Sequence, residues 1–210
     1  MEDTTLEKKT GARNKISGES YKSDARLEYL AARRMAEDGV GGAALAKLQA
    51  LSDSGYSDAD IYIGHMFERG MGVSKDDSVA LRYFIEAEKA GNITGSYFAA
   101  RNLERNGRSE ESAIRLRTLA LDDYPPAMMR LARALEYGRG VKQDIQESRR
   151  LLLKAKRMGH IWAIRYDGIK CLRGEYGWQW RPWGVALLAR AVTFAIWLTL
   201  TAPHDPRLVS

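Results

Sequence analysis

Residues 59–91 (ADIYIGHMFERGMGVSKDDSVALRYFIEAEKAG) and 127–159 (AMMRLARALEYGRGVKQDIQESRRLLLKAKRMG) carry one pattern twice. Ile63 pairs with Leu131, Gly64 with Ala132, Phe67 with Leu135 and Gly70 with Gly138. The phase holds through Gly72-Val73 and Gly140-Val141, Asp76 and Asp144, Phe84 and Leu152, Ala87 and Ala155, and both blocks end in glycine. Apolar residues three and four apart on either side of a glycine-rich turn predict two amphipathic helices, so the repeating unit is a helix hairpin.

Two shorter copies keep the phase without the G-x-G-V insert. Residues 95–126 place Ala99, Ala100, Leu103, Ala113, Leu116 and Ala120 at the matching positions. Residues 27–58 place Ala31, Ala32, Met35, Ala44, Leu48 and Leu51 there, with Gly39, Gly41 and Gly42 in the turn. Unit starts at 27, 59, 95, 127 and 163 step by 32 or 36 residues, and the last opens a fifth unit with Gly168 and Cys171 at the small and apolar sites. One hairpin cannot bury its own apolar face, so neighbours must stack, and small residues let their helices approach. The expected fold is all-α: a right-handed α-α solenoid of four to five hairpins followed by an apolar C-terminal helix.

A small residue followed by G-x-G-V-x-x-D, then A-x-x-Y/F and A-x-x-G, resembles the Sel-1-like repeat, a relative of the tetratricopeptide repeat. Gly64, Gly70, Gly72, Val73, Asp76, Ala80, Tyr83, Ala87 and Gly91 match it, while the second block has Ser148 in place of alanine and Leu151 in place of the aromatic. The shorter units look like generic tetratricopeptide hairpins. The resemblance implies a non-catalytic adaptor or scaffold, of the kind found in bacteria beside envelope, secretion and surface-polysaccharide machinery. That last step is analogy at the level of the family.

In such a solenoid the first helix of each hairpin lines the concave face. One row there reads Arg33, His65, Arg101, Arg133 and Ile169; its neighbours read Tyr29, Ile61, Tyr97, Met129 and Arg165, then Glu37, Arg69, Arg105, Tyr137 and Arg173. Guanidinium forks beside aromatic rings suit an extended protein segment bearing carboxylates. The same rows also read as a solvated surface of paired charges, since Glu104, Glu136 and Glu68 lie close in sequence. Arg149, Arg150, Lys154, Lys156 and Arg157 crowd one helix, but a solvated face explains them better than nucleic acid does.

No Ser-His-Asp order, nucleophile elbow or H-E-x-x-H is present, so no enzyme and no cofactor are expected. Asp76 reads as a helix cap, not half of a carboxylate dyad with Asp77. One cysteine, Cys171, and the scattered histidines His65, His160 and His204 give no metal motif. Lys plus Arg number 33 against 27 Asp plus Glu, a net charge of +6, which permits an anionic partner or surface.

Residues 1–22 read as a flexible polar tail without an export signal, which favours the cytoplasm. The solenoid is expected over 23–174, a tryptophan-rich linker over 175–182, an apolar helix over 183–203 and a tail over 204–210. All five tryptophans fall between Trp162 and Trp197, and the apolar run contains one charge, Arg190. Its length spans a bilayer core, with Trp178, Trp180, Arg181 and Trp183 as interface anchors and Arg190 snorkelling to the headgroups. More basic residues precede the run than follow it, which leaves the solenoid on the cytoplasmic face. Two readings stay open: a membrane anchor, spanning or interfacial, or a soluble helix that caps the solenoid or joins copies of the chain.

Overall fold

The computed structural model describes residues 23–202; both expected polar tails, 1–22 and 204–210, lie outside them. The described residues form helices α1 (23–37), α2 (Gly41–Asp53), α3 (Ser57–Arg69), α4 (Asp77–Lys89), α5 (Ile93–Arg105), α6 (Ser109–Leu121), α7 (Pro125–Tyr137), α8 (Ile145–Arg157), α9 (Ile161–Arg173) and α10 (Arg181–Thr201), with a short 3₁₀ turn at Trp178–Trp180. There is no strand among the described residues. This is the all-α solenoid class that the spacing predicts, built from successive helix hairpins. Two compact units divide the chain, Met1–Phe98 and Ala99–Ser210.

In the first unit the core is made by Ala32, Ala44, Leu48, Ile63 and Met66, with Tyr29, Phe67 and Tyr83 packed against it. Gly64 shows why the repeat asks for a small residue: a Cβ there would fall 2.5 Å from the Phe84 ring of α4. The G-x-G insert has an equally direct cause. Gly72 adopts a φ of 70°, and a Cβ on it would fall 2.3 Å from the Gly41 Cα at the start of α2. Only glycine combines that backbone with that approach. Asp76 then caps α4, its carboxylate accepting from the backbone N–H of Ser78 at 2.8 Å and Val79 at 2.9 Å.

The second unit repeats these devices. Gly140 presses on the Ser109 carbonyl as Gly72 presses on Gly41, and Asp144 caps α8 through the Glu147 N–H at 2.9 Å. The fifth hairpin is complete: α10 packs along α9. A Cβ on Gly184 would fall 2.8 Å from the Gly168 carbonyl oxygen and 2.9 Å from Leu172. The helix starts at Arg181, two residues before the predicted boundary, and the stretch expected as a linker supplies the turn of this hairpin.

Candidate functional site

The first helices of the hairpins carry the rows of arginine and aromatic side chains, and each unit arranges its share differently. In the first unit Arg33 and Tyr29 lie half-buried on α1. The Arg33 guanidinium sits 5.8 Å from the Tyr62 ring centre and its Nε donates to Glu37 at 3.0 Å. Tyr29 packs on Tyr56 and Tyr62, and burial pushes its hydroxyl up to about 12. Arg69 is exposed at the end of α3.

Two residues of the predicted groove in this unit have other roles. Tyr97 is fully buried, so it belongs to the core and offers no surface. His65 lies against Phe98 at 4.4 Å and Phe84 at 5.2 Å, with Nδ1 3.2 Å from Glu68, and is a packed residue more than a groove residue. The three-to-four residue period that puts one row outward also carries its neighbours toward the core, and the aromatic ring follows the apolar side.

In the second unit the prediction comes closest to a site. A cleft of about 400 Å³ opens on α7 and α9, lined by Met129, Arg130, Arg133, Trp162, Arg165, Tyr166 and Ile169. Arg133 lies 5.8 Å from the Tyr166 ring centre and Arg165 5.1 Å from that of Trp162. Arg130 donates to Glu104 at 2.7 Å. Of the predicted residues, Arg133 and Arg165 meet in this cleft. Tyr137 adjoins it through its hydroxyl, 3.2 Å from that of Tyr166, while Arg101 is half-buried and Arg105 and Arg173 are exposed on the same set of helices.

Below the cleft lies a polar cluster that the rows did not foresee. Tyr166 donates to Glu136 at 2.8 Å, and Lys170 pairs with Glu136 and, at 3.4 Å, with Glu175. Burial, then the Tyr137 and Glu136 contacts, hold the Tyr166 hydroxyl well above its usual range. Burial pulls the Lys170 ammonium down, but the Glu136 hydrogen bond and charge outweigh it, so the group lies above the lysine norm. The cluster clamps α9 to α7 and fixes Tyr166, the floor of the cleft. Arg130, Trp162 and Tyr166 were missed, although Tyr62, Phe98, Arg130 and Tyr166 recur at the same unit steps one residue beyond the Tyr29 row.

Trp178, Trp180, Arg181, Trp183 and Arg190 are all exposed, and Trp178 and Trp183 are 80% and 61% accessible. On α10 only Gly184, Ala191 and Leu198 are buried. Cys171 is buried, which raises its thiol, and among the described residues no group of three or more His, Cys, Asp or Glu could hold a metal ion.

The fold defines a helical-repeat protein. The family model described as Sel1 repeat matches residues 57–92 and 125–160, the two blocks with the complete glycine turn. Over those two blocks the chain resembles the Sel1-like repeat family, whose repeats imply a protein–protein interaction scaffold. Among solved structures it resembles a Sel1 repeat protein from Oxalobacter formigenes, at 14% identity and a TM-score of 0.64, over 84% of this chain and 76% of that one. It also resembles a protective antigen present in uropathogenic Escherichia coli strains that displays an SLR fold, at 19% identity and a TM-score of 0.57. That match covers 83% of this chain and 46% of the antigen's. At such identities the likeness is one of fold. The comparison with curated proteins returned no match.

Proposed function

We propose that the protein is a non-catalytic adaptor, held at the cytoplasmic face of a membrane by α10, whose first helices grip an extended acidic segment of a protein partner. The observation that carries the gripping role is the cleft on α7 and α9, where Arg130, Arg133 and Arg165 stand beside Trp162 and Tyr166. Planar guanidinium groups bind carboxylates bidentately, and the rings add apolar contact at little entropic cost. Within the second unit Arg101, Arg105, Tyr137 and Arg173 offer further contacts of this kind, and within the first unit Arg33, Tyr29 and Arg69 offer a separate set. An assembly or regulatory role beside an envelope, secretion or surface-polysaccharide complex agrees with this reading.

A labelled peptide of alternating glutamate and leucine is the probe. Arg133→Glu with Arg165→Glu should weaken its binding at least about tenfold, the scale of one lost charge-assisted pair, while the circular dichroism melt stays in place. Equal affinity for both proteins would overturn the gripping role.

The membrane role rests on α10, which together with the 3₁₀ turn is long and apolar enough to cross a bilayer and largely unburied. The second reading, a soluble cap, is favoured by the close Gly168–Gly184 crossing, which makes α10 a working part of the last hairpin. Flotation of the full chain with vesicles separates the two, because a soluble cap stays with the unbound fraction.

A further inference from the structure

Two clefts of similar size lie between consecutive second helices of the second unit, and they differ chemically. The one between α6 and α8 holds about 730 Å³ and is lined by Arg117, Lys142, Asp144 and Glu147 among others, a balanced polar rim. The one between α8 and α10 holds about 780 Å³. Advancing one 36-residue unit carries Asp144 to Trp180 and Glu147 to Trp183, and both tryptophans line the second cleft. Both acids of the repeat have become interface aromatics, and the helix has given up its Asp cap in the exchange, since α10 has no side-chain cap.

The charges left in this cleft do not balance locally. Asp167 is engaged by Lys156 and by the Tyr176 hydroxyl at 3.0 Å, and Glu175 by Lys170. Arg149 on α8 and Arg190 on α10 are exposed, and neither has a carboxylate partner among the described residues. Arg190 reaches a second, shallower hollow as well, where it meets Arg157, Phe194 and Trp197. Two free guanidinium groups, an apolar wall of Leu152, Leu153 and Leu187, and a tryptophan rim form a receptor for an anionic group joined to an apolar tail.

We propose that the cleft between α8 and α10 binds the headgroup of an anionic phospholipid, its phosphate between Arg149 and Arg190 and its chains beside Leu187 and Trp183, with α10 lying in the plane of the membrane surface. This deepens the membrane reading and rests on it. In-plane seating follows from the Gly168–Gly184 crossing, because a spanning α10 would have to leave α9 and expose Ile161 and Ile164, which it covers. An in-plane helix keeps that contact and presents Trp183, Trp197 and Leu200, on the side of the cleft mouth, to the acyl boundary. Arg190 then needs no burial at the bilayer centre.

The test uses the full chain with vesicles of phosphatidylcholine alone and of phosphatidylcholine with about one-third phosphatidylglycerol. Binding should be about thirtyfold tighter to the anionic vesicles, from two arginines at a charged surface. Arg149→Gln with Arg190→Gln should bring the two affinities to within about twofold, whereas Lys47→Gln with Arg82→Gln, the same charge change away from the cleft, should keep the preference. Glycerol phosphate should not displace the protein, since it lacks the chains. Equal binding of the wild type to both vesicles, a preference retained by the R149Q/R190Q protein, or displacement by glycerol phosphate would overturn the lipid site and leave the anchor standing. Binding to neither vesicle would overturn both.

Discussion

The hairpins α7–α8 and α9–α10 lie one unit apart in the same half of the chain and use one scaffold for two ends. Both have a left-handed glycine at the end of the first helix, Gly138 and Gly174, with φ of 67° and 77°. Both start the second helix in phase, at Ile145 and Arg181. They diverge at the turn and beyond. Where α8 has Gly140 and its Asp144 cap, the last hairpin has Tyr176 and Trp180; where α8 ends before Gly159, α10 reads Ala195 and continues to Thr201. The crossing residues are kept because they hold the pair together, and the residues that prepare another hairpin are lost. The last unit stays within the repeat on its inner side and leaves it on its outer side.

The sharpest way to break this comparison is at the crossing. Gly184→Leu places a side chain where a Cβ already meets the Gly168 carbonyl at 2.8 Å, and should cost about 3 kcal/mol or more by overpacking. Differential scanning calorimetry should show the last hairpin melting early; an unchanged melt would mean α10 does not rely on α9. A smaller loss is expected on the other side of α9. Lys170→Met leaves the Glu136 carboxylate without its cation, for about 2 kcal/mol. Because the folded state holds Lys170 above its usual value, its contribution is complete below the ordinary lysine pKa and is lost as pH rises through the higher folded one. Chemical denaturation should therefore show a steeper fall in stability above about pH 10 for the wild type than for the K170M protein, which keeps only the part due to its buried tyrosines.

The caps give the finest contrast. Asp144→Ala should destabilise by about 1 kcal/mol, read from the denaturation midpoint. Trp180→Asp restores the repeat's cap to α10 and should stabilise the soluble protein by about 0.5 kcal/mol while weakening its partition into vesicles. If both quantities move together, Trp180 was not exchanged for lipid contact.

The fold was legible because its repeated letters sit at steric bottlenecks. Gly64 against Phe84 and Gly72 against Gly41 leave no room for a side chain, so the pattern in the sequence is the pattern of the contacts. The candidate site was only half legible. Arg133 and Arg165 lay on the rows, but Arg130, Trp162 and Tyr166 complete the cleft from positions just beside them, and Tyr97 on the same rows turns into the core. Spacing gives the face of a helix to within about one residue in 3.6, and one residue decides whether a tyrosine is floor or filling. The last hairpin was obscured for a different reason. Its apolar run, broken by Arg190 alone, and its tryptophans outweigh Gly184 and Ala191, which keep the positions of Ser148 and Ala155 one unit on.

Trp183 and Trp197 are the reporters for the proposed seating of α10 on a membrane. They are fourteen residues apart on one helix, about 21 Å along its axis. Two forms of the full chain, each retaining one of these tryptophans and carrying phenylalanine at the others, should be bound to anionic vesicles containing lipids brominated near the headgroup or deep in the chain. An α10 that stays on α9 and lies in the surface gives equal quenching of both tryptophans, strongest with the shallow bromines. Quenching of Trp197 chiefly by the deep bromines, with Trp183 still shallow, would mean that the helix leaves the last hairpin and enters the bilayer.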